Sequence, residues 1–360
     1  MELDPGRVAM LAPLLHVLPL TTIVRERTLP VAGRVSARLN QKVSPNDVVA
    51  EAVWAREHVL IDVAGALRLP VTAADRLIRC KVGDDLAVNA EVALGEGIFP
   101  KSVRTPREGR VIAAGGGQVL LETGANNVQL LAGIPGSVIQ IIPDYGVIIQ
   151  AFGSLIQGVW GNGRIATGGL LNLAEGPDSV LTAARLDMSI RTNIILGGIC
   201  KDAETLQVAA ELGVRGLILS SLFPSLLPIA SRMQMPIMVT DGFGSLPMNS
   251  AAYRLLSTNV QREVTLNAEP YDRYSGARPE VIIPLPVTQE PTQPREVEAF
   301  APGQTVRLRR PPAPGAIGVL VALRPGLTQL PSGLRAPSAD VKLETGETVV
   351  VPLVNLEVVG

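Results

Sequence analysis

The chain has 360 residues, well over twice the length of a typical domain, so we expect several domains that each form a core without disulfide bonds. Nearly half of the residues (47%) are apolar but only 3% are aromatic, so aliphatic side chains must supply these cores. A net charge of −1 excludes a partner that binds through overall charge, such as bulk nucleic acid or an anionic membrane.

Export, membrane insertion and metal binding have no sequence signal. Cys80 and Cys200 have neither CxxC spacing nor nearby histidines, which predicts two buried free thiols and no metal site. The apolar stretch 8–24 follows two acidic residues and contains two prolines, unlike an export signal. No other run approaches the roughly 20 apolar residues of a membrane span. We expect a cytoplasmic protein, and its excess of arginine over lysine is typical of GC-rich bacteria.

After an N-terminal segment (1–28), residues 29–160 repeat a pattern of strands and turns. The segment 42–52 is similar to 81–91, and each predicts a strand, a polar turn and a second strand. A second repeat has a proline, then a glycine, then a valine two positions later, and its copies end at Val35, Val111 and Val138. Because glycine tolerates positive φ, each copy predicts a tight turn that opens into a strand. A short helix is predicted around residues 73–79.

These repeats resemble the half-motifs of barrel-sandwich hybrid domains, the biotinyl/lipoyl-like fold, over about residues 29–124. The resemblance implies a small β-module that acts as a cofactor carrier, a spacer or a docking unit. In carriers a lysine lies at a hairpin tip within a short signature, and Lys42, Lys81 and Lys101 all lack that context. We therefore expect a structural β-module and no cofactor.

From residue 192 strands alternate with helices, which predicts an α/β domain over residues 161–283. The predicted strands are 193–196, 216–219, 236–240 and 263–267, and the predicted helices are 201–212, 225–233 and 249–257. This order predicts a parallel sheet with right-handed crossovers.

The carboxyl ends of these strands are the candidate ligand site, because open parallel sheets bind ligands there. The candidate ligand-binding residues are Gly197, Gly198, Ser220, Ser221, Thr240, Asp241, Gly242 and Gly244. A hydroxyl, a carboxylate and unhindered backbone amides suit an anion or a small polar ligand. The alternative is that the same residues only form the tight loop that a strand end needs.

No residue is assigned a catalytic role. The turn after the first strand of this domain lacks the G-x-G-x-x-G dinucleotide fingerprint. The two histidines, His16 and His58, precede the domain, so no Ser-His-Asp or Cys-His set can be assembled from local sequence. An enzyme at this rim would need a supplied cofactor or metal, with Lys201 and Arg278 as its nearby cations.

Five prolines in residues 284–302 predict an extended linker to a C-terminal module, 303–360. The opening 303–319 and the ending 351–358 resemble a KOW-type SH3-like barrel, which implies contacts with RNA or with other proteins. Residues 303–335 contain arginines but no acidic residue. The candidate contacts for a partner or RNA are Arg307, Arg309, Arg310, Arg324 and Arg335. No aromatic residue follows Phe300, so base stacking is absent and protein docking is favoured.

The sequence therefore predicts a multidomain α+β protein with a barrel-sandwich-like β-module, a central α/β parallel-sheet unit and a C-terminal SH3-like β-barrel. The predicted function is a non-enzymatic assembly or adaptor protein that docks protein partners and whose α/β unit binds a small ligand. Two alternatives stay open. One is an enzyme or small-ligand sensor that uses the Asp241 loop, and the other is an RNA- or ribosome-associated factor that uses the C-terminal arginines.

Overall fold

The computed structural model describes residues 10–96, 100–272, 274, 276–295 and 297–360. Of the N-terminal segment 1–28, residues 1–9 lie outside the described residues. The described part contains 29 strands and five α-helices. No α-helix in this part is longer than nine residues. The protein is thus mostly β, as the many turn residues and the aliphatic composition predict.

The first half holds thirteen strands and two helices. The strands are β1 (Leu11–Ala12), β2 (Leu14–Leu15), β3 (Val17–Thr28), β4 (Arg34–Val35), β5 (Lys42–Val43), β6 (Val48–Asp62), β7 (Asp85–Leu86), β8 (Glu91–Leu94), β9 (Ser102–Arg104), β10 (Gly109–Gly115), β11 (Gln118–Leu131), β12 (Gly136–Ile142) and β13 (Gly146–Gln157). The helices are α1 (Val63–Leu67) and α2 (Val71–Leu77), the second close to the predicted helix at 73–79.

The middle part contains the alternating elements. Its strands are β14 (Trp160–Gly161), β15 (Ile165–Asn172), β16 (Val180–Leu181), β17 (Asn193–Cys200), β18 (Gly216–Leu222), β19 (Ile237–Phe243), β20 (Glu263–Asn267) and β21 (Glu280–Pro284). Its helices are α3 (Ala203–Glu211), α4 (Leu227–Ala230) and α5 (Ser250–Ser257). The helix predicted at 225–233 is only a 3-10 turn (Pro224–Leu226) followed by the four-residue α4.

The C-terminal part is entirely β apart from one 3-10 turn, Leu353–Asn355. Its strands are β22 (Glu298–Ala299), β23 (Thr305–Leu308), β24 (Ile317–Leu323), β25 (Thr328–Gln329), β26 (Arg335–Ala336), β27 (Ser338–Leu343), β28 (Thr348–Pro352) and β29 (Leu356–Val359).

The largest sheet has twelve strands in the order β14-β19-β18-β17-β15-β20-β21-β13-β12-β5, with β16 beside β17 and β3 beside β13. Strands β17, β18 and β19 are parallel, as the alternation predicts. The prediction that β20 is also parallel is wrong. Strand β15 pairs with the free edge of β17, and β20 pairs antiparallel with the other edge of β15. The alternation alone did not reveal β15.

The same sheet continues into the first half of the chain. Residues 153–157 of β13 pair with all of β21, and most of β13 also pairs with β3. Segments that the sequence assigned to the N-terminal segment, the β domain and the α/β domain therefore share one sheet. Burial of apolar side chains stabilises these pairings, since β13 is buried along most of its length.

The glycine repeat has a common structural role that differs from the predicted one. Gly33, Gly109 and Gly136 do not have positive φ. A Cβ at these positions would lie 2.3, 2.5 and 2.2 Å from the carbonyl oxygens of Glu51, Glu122 and Gln150, respectively, on the paired strands. Glycine is therefore needed in this repeat because the paired strand lies too close for a Cβ, and not because the turn is left-handed.

The strand-turn repeat also recurs in the structure. The backbone N–H groups of Ser44 and Lys81 each donate to an aspartate three residues later, Asp47 and Asp84, at 2.8 Å. These two turns correspond to each other with an offset of 37 residues, two fewer than the offset that the sequence similarity predicted.

Strands β6 and β11 form a long antiparallel ribbon in a five-stranded sheet of order β4-β6-β11-β10-β7. They pair from Val48 to Asp62, a length of about 40 Å. At its far end a separate core contains only residues between Ile61 and Leu121, together with α1 and α2. We call residues 61–121 the distal module.

The C-terminal part forms a six-stranded sheet of order β2-β29-β23-β24-β27-β28, which is not a closed barrel in the described residues. It packs on the large sheet, because Leu15, Ile317 and Val359 belong to the same buried cluster as Met238 of β19. The proline-rich segment 284–302 lies along β3, where Thr21 Oγ1 donates to Thr292 O at 2.9 Å. Its last strand, β22, pairs with β1.

Candidate functional site

The predicted rim lies at the carboxyl ends of β17, β18 and β19, but most of it is inside the protein. Ser220, Ser221 and Thr240 are fully buried, and both Gly197 and Gly198 are buried as well. Parallel pairing brings these residues to one edge of the sheet, as predicted. The space that a ligand would need is occupied by other parts of the chain.

The two glycines of β17 allow the chain to pack against itself. A Cβ on Gly197 would lie 2.7 Å from Leu181 Cδ2, and a Cβ on Gly198 would lie 2.3 Å from Ser179 O. Gly198 also has a φ of +80°, a left-handed conformation that favours glycine. Both glycines are therefore required by β16 and the residue before it, which pack on this end of β17.

Hydrogen bonds to β18 hold the loop that follows β19. Ser221 Oγ donates to Gly244 O at 2.9 Å, and Gly244 N donates to Leu222 O at 3.0 Å. Gly242 and Gly244 have φ values of +153° and +102°, so the loop needs glycine at both positions. The Ser220 hydroxyl is buried without a hydrogen-bond partner in the described residues.

Asp241 is the centre of a buried polar cluster, and its side chain is 1% exposed. Its carboxylate accepts hydrogen bonds from the Thr240 hydroxyl at 2.7 Å and from the backbone N–H and Nδ2 of Asn249, each at 3.1 Å. The Arg307 Nη1 donates to Asp241 Oδ1 at 2.7 Å. The carboxylate therefore has the partners that a charged group needs in the interior.

Arg307 reaches Asp241 from the C-terminal sheet and is itself buried, with 3% of its side chain exposed. Its Nη2 donates to Glu357 Oε2 at 2.6 Å, and Glu357 also lies 3.4 Å from Arg278. We call Asp241, Arg307, Glu357 and Arg278 the ion-pair chain. Burial works against the guanidinium charge, but Asp241 and Glu357 outweigh it and raise the pKa of Arg307.

The structure thus joins two residues that the sequence placed in different sites, Asp241 and Arg307. Glu357 and Asn249 complete the cluster and were missed. Glu357 had no distinctive signal, because successive residues of a strand point to opposite faces and a charge between apolar neighbours is usual in a strand with one face in solvent.

The remaining candidate arginines are at the surface. Arg324 pairs with Asp340 at 2.8 Å, whereas Arg309, Arg310 and Arg335 are exposed without an acidic partner among the described residues. Arg278, a suggested cation for an enzyme, belongs to the ion-pair chain and also lies 5.1 Å from the ring centre of Tyr271. Lys201 is exposed.

The histidines do not join the rim. His16 lies between β2 and β3, its Nε2 is 3.2 Å from Arg295 O, and burial lowers its pKa. His58 pairs with Glu122 in the ribbon of β6 and β11. Neither histidine contacts Asp241, Ser221 or Cys200 in the described structure.

The Cys200 thiol is fully buried next to the rim, and burial raises its pKa to about 12. The thiolate is the reactive form, so we expect Cys200 to stay unlabelled by an aromatic disulfide reagent at about pH 8 in the folded protein. Both cysteines should react after unfolding in urea. Rapid labelling of two thiols in the native protein would contradict the burial of Cys200.

Among the residues that the structure describes, no group of three or more His, Cys, Asp and Glu could hold a metal ion. In the same part of the chain, no helix is both long and apolar enough to cross a membrane. Comparison with known proteins adds no relative, because no protein-family model and no curated protein matches this chain.

Proposed function

We propose that this chain is a non-enzymatic assembly or adaptor protein that docks protein partners on its β-modules. The observation that carries the proposal is the ion-pair chain. Asp241, Arg307 and Glu357 are the strongest candidates for polar chemistry, and their charges are bound to one another between the α/β unit and the C-terminal sheet. Their arrangement favours rigid attachment of one unit to the other.

A ligand site at the Asp241 loop has less support. A small anion would have to break the contact between Asp241 and Arg307, and a small cation would compete with Arg307 itself. Either exchange leaves a buried charge without its partner, which costs several kcal/mol. The Ser220 hydroxyl is the remaining unpaired polar group of the predicted rim.

Two surfaces support docking. In the C-terminal part, Arg309 and Arg310 follow β23 and Arg335 lies in β26, and all three are exposed. Leu334 and Val354 of the same part are 70% and 73% exposed. Arginine is enriched at protein interfaces, which favours docking through these residues. We infer that this part is an SH3-like module of the KOW type.

The distal module supplies the second surface. Its core shares no residue with the other cores, and it is attached through the ribbon of β6 and β11. Together with the glycine repeat, this supports a relationship with barrel-sandwich hybrid docking modules. A module with its own core can present a binding surface while the rest of the protein stays fixed.

RNA binding is the second candidate function, and the three unpaired arginines favour it. RNA binding through Arg309, Arg310 and Arg335 would weaken steeply with salt, because it depends on the release of counterions. The absence of aromatic residues after Phe300 leaves no platform for stacked bases. We therefore place protein docking first.

The test is capture of partners by the tagged full-length protein from lysate of its source organism, with and without nuclease. We expect one stoichiometric protein that nuclease does not release. The variant Arg309→Glu/Arg310→Glu/Arg335→Glu should recover roughly tenfold less of it, because the interface loses its cations. The control Arg164→Glu/Arg232→Glu/Arg262→Glu changes three exposed arginines outside both proposed surfaces and should bind normally.

Nuclease-sensitive recovery of RNA, lost in the first variant only, would replace the adaptor proposal with the RNA candidate. Equal recovery of the protein by both variants would exclude the C-terminal arginines as its docking site.

A further inference from the structure

The outer edge of β12 is only partly covered. Strand β5 pairs with Gly136 and Ser137, and the backbone of Val138 bonds to the turn before β5, with Asn40 N donating to Val138 O at 2.8 Å. Beyond Val138, no described residue pairs with the outer edge from Ile139 to Ile141. These residues therefore present free backbone donors and acceptors at the end of the largest sheet.

Apart from a bulge at Ile139, this edge lacks the features that normally prevent strands from pairing. Ile139 and Ile141 are 41% and 37% exposed, and Tyr145 in the following turn is 45% exposed. No charged residue occurs between Thr123 and Pro143. Natural edge strands usually carry lysines, inward charges or prolines that block association, so an uncharged and apolar edge indicates a pairing surface.

We propose that two copies of this chain associate through antiparallel pairing of their β12 edges around a two-fold axis. An isologous contact of this kind uses the same patch on both copies. It extends the sheet without opposing like charges, because the pairing residues are uncharged. This self-association is independent of the proposed docking of other proteins.

Charge complementarity identifies a second copy as the occupant. Directly opposed residues of an antiparallel pair lie on the same face, so the two-fold axis must place a residue opposite its own copy. If Ile141 lies opposite Ile141 of the second copy, Gln140 lies opposite its Ile142, and its Asp144, in the turn after β12, then lies level with Val138. Lys42 pairs with Ser137, and Arg38 lies in the turn bonded to Val138. The exposed Asp144 of each copy therefore meets the exposed Arg38 and Lys42 of the other.

The complementarity is specific to this edge. Asp144 is the only charged residue between Thr123 and Gly163, and none of the three charged side chains has an ionic partner among the described residues. The two-fold axis repeats the pair at both ends of the contact.

The contact is small, so we expect a weak dimer. About three residues pair from each copy, with Leu39 and Tyr145 at the ends, which falls short of the roughly 1,200 Å² that stable complexes bury. The dimer should therefore form in the micromolar concentration range, on the order of 10 µM.

Sedimentation velocity of the full-length protein between about 1 and 200 µM tests the proposal. We expect a monomer that converts to a dimer as concentration rises. The variant Ile139→Lys/Ile141→Lys should weaken association at least tenfold, because it places like charges on both edges. The control Val319→Lys/Val321→Lys changes two exposed apolar residues of β24 and should dimerise like the wild type.

A charge swap tests the register without relying on loss alone. Asp144→Lys and Arg38→Asp/Lys42→Asp should each weaken self-association, because like charges then meet at both ends. Mixing the two variants should restore a heterodimer with wild-type affinity, since each end again joins opposite charges. A protein that stays monomeric throughout, a dimer unaffected by Ile139→Lys/Ile141→Lys, or a mixture no tighter than its components would overturn the proposal.

Discussion

Replacement of Arg307 by alanine should lower the free energy of unfolding by about 3–5 kcal/mol. The substitution removes the cation that lies 2.7 Å from Asp241 and 2.6 Å from Glu357, and both carboxylates are at most 3% exposed. A buried charge without its partner is strongly destabilising, whereas a surface ion pair contributes little. Urea unfolding near neutral pH measures the loss through tryptophan fluorescence, to which Trp160 contributes from its edge-on packing against Phe243 at the end of β19.

Two further variants separate charge burial from general damage. Arg309→Ala removes an exposed arginine two residues along the chain and should stay within about 0.5 kcal/mol of the wild type. The variant Asp241→Asn/Arg307→Met/Glu357→Gln leaves no charge in the cluster unpaired apart from the partly exposed Arg278, so it should recover much of the stability. If Arg307→Ala costs less than about 1 kcal/mol, the cluster is not the buried ion-pair chain described above.

Alanine at Gly198 should be the second large loss, about 1–3 kcal/mol beyond that of alanine at Gly116. Both glycines have left-handed backbones, with φ values of +80° and +65°, so both substitutions carry the same backbone strain of about 1–2 kcal/mol. Only at Gly198 does the new Cβ meet an atom, Ser179 O at 2.3 Å, whereas Gly116 has nothing within 4 Å. The difference between the two variants therefore measures the contact with β16.

Thermal unfolding of both variants, compared at equal concentration, gives this difference. Equal losses would mean that Ser179 moves aside at no cost. Gly198 would then have no packing role and its ligand interpretation would regain its basis, whereas Gly197 would still lack room for a Cβ beside Leu181.

Sequence reasoning was most accurate where local signals are sufficient. Strands β17, β18 and β19 are apolar runs near glycine turns. Asp202 caps the N-terminus of α3, because its carboxylate accepts a hydrogen bond from Thr205 N. Those signals lie within a few residues of the element that they define. Strand β15 and the antiparallel pairing of β20 depend on contacts between distant segments, which no local pattern reports.

In the candidate site, too, the sequence revealed local features but not the contacts between distant segments. The sequence distinguished Asp241 and Arg307 as unusual residues, but the two are 66 positions apart and belong to different predicted domains. Their contact depends on how the C-terminal sheet packs on the α/β unit, which composition and periodicity do not specify. A charge between apolar neighbours, as at Arg307 and Glu357, does not distinguish a buried ion pair from a solvent-facing position of an alternating strand.

The pairing of β2 with β29 affects how the protein is made. Leu14 lies beside Val358, so the edge of the C-terminal sheet joins residues from opposite ends of the sequence. During translation the ribosome must synthesise residue 358 before this edge can form, while the buried core of the distal module uses only residues 61–121, which emerge much earlier. Until then Leu14 and Leu15 of β2 have no partner strand, and a chaperone that shields them would act during this interval.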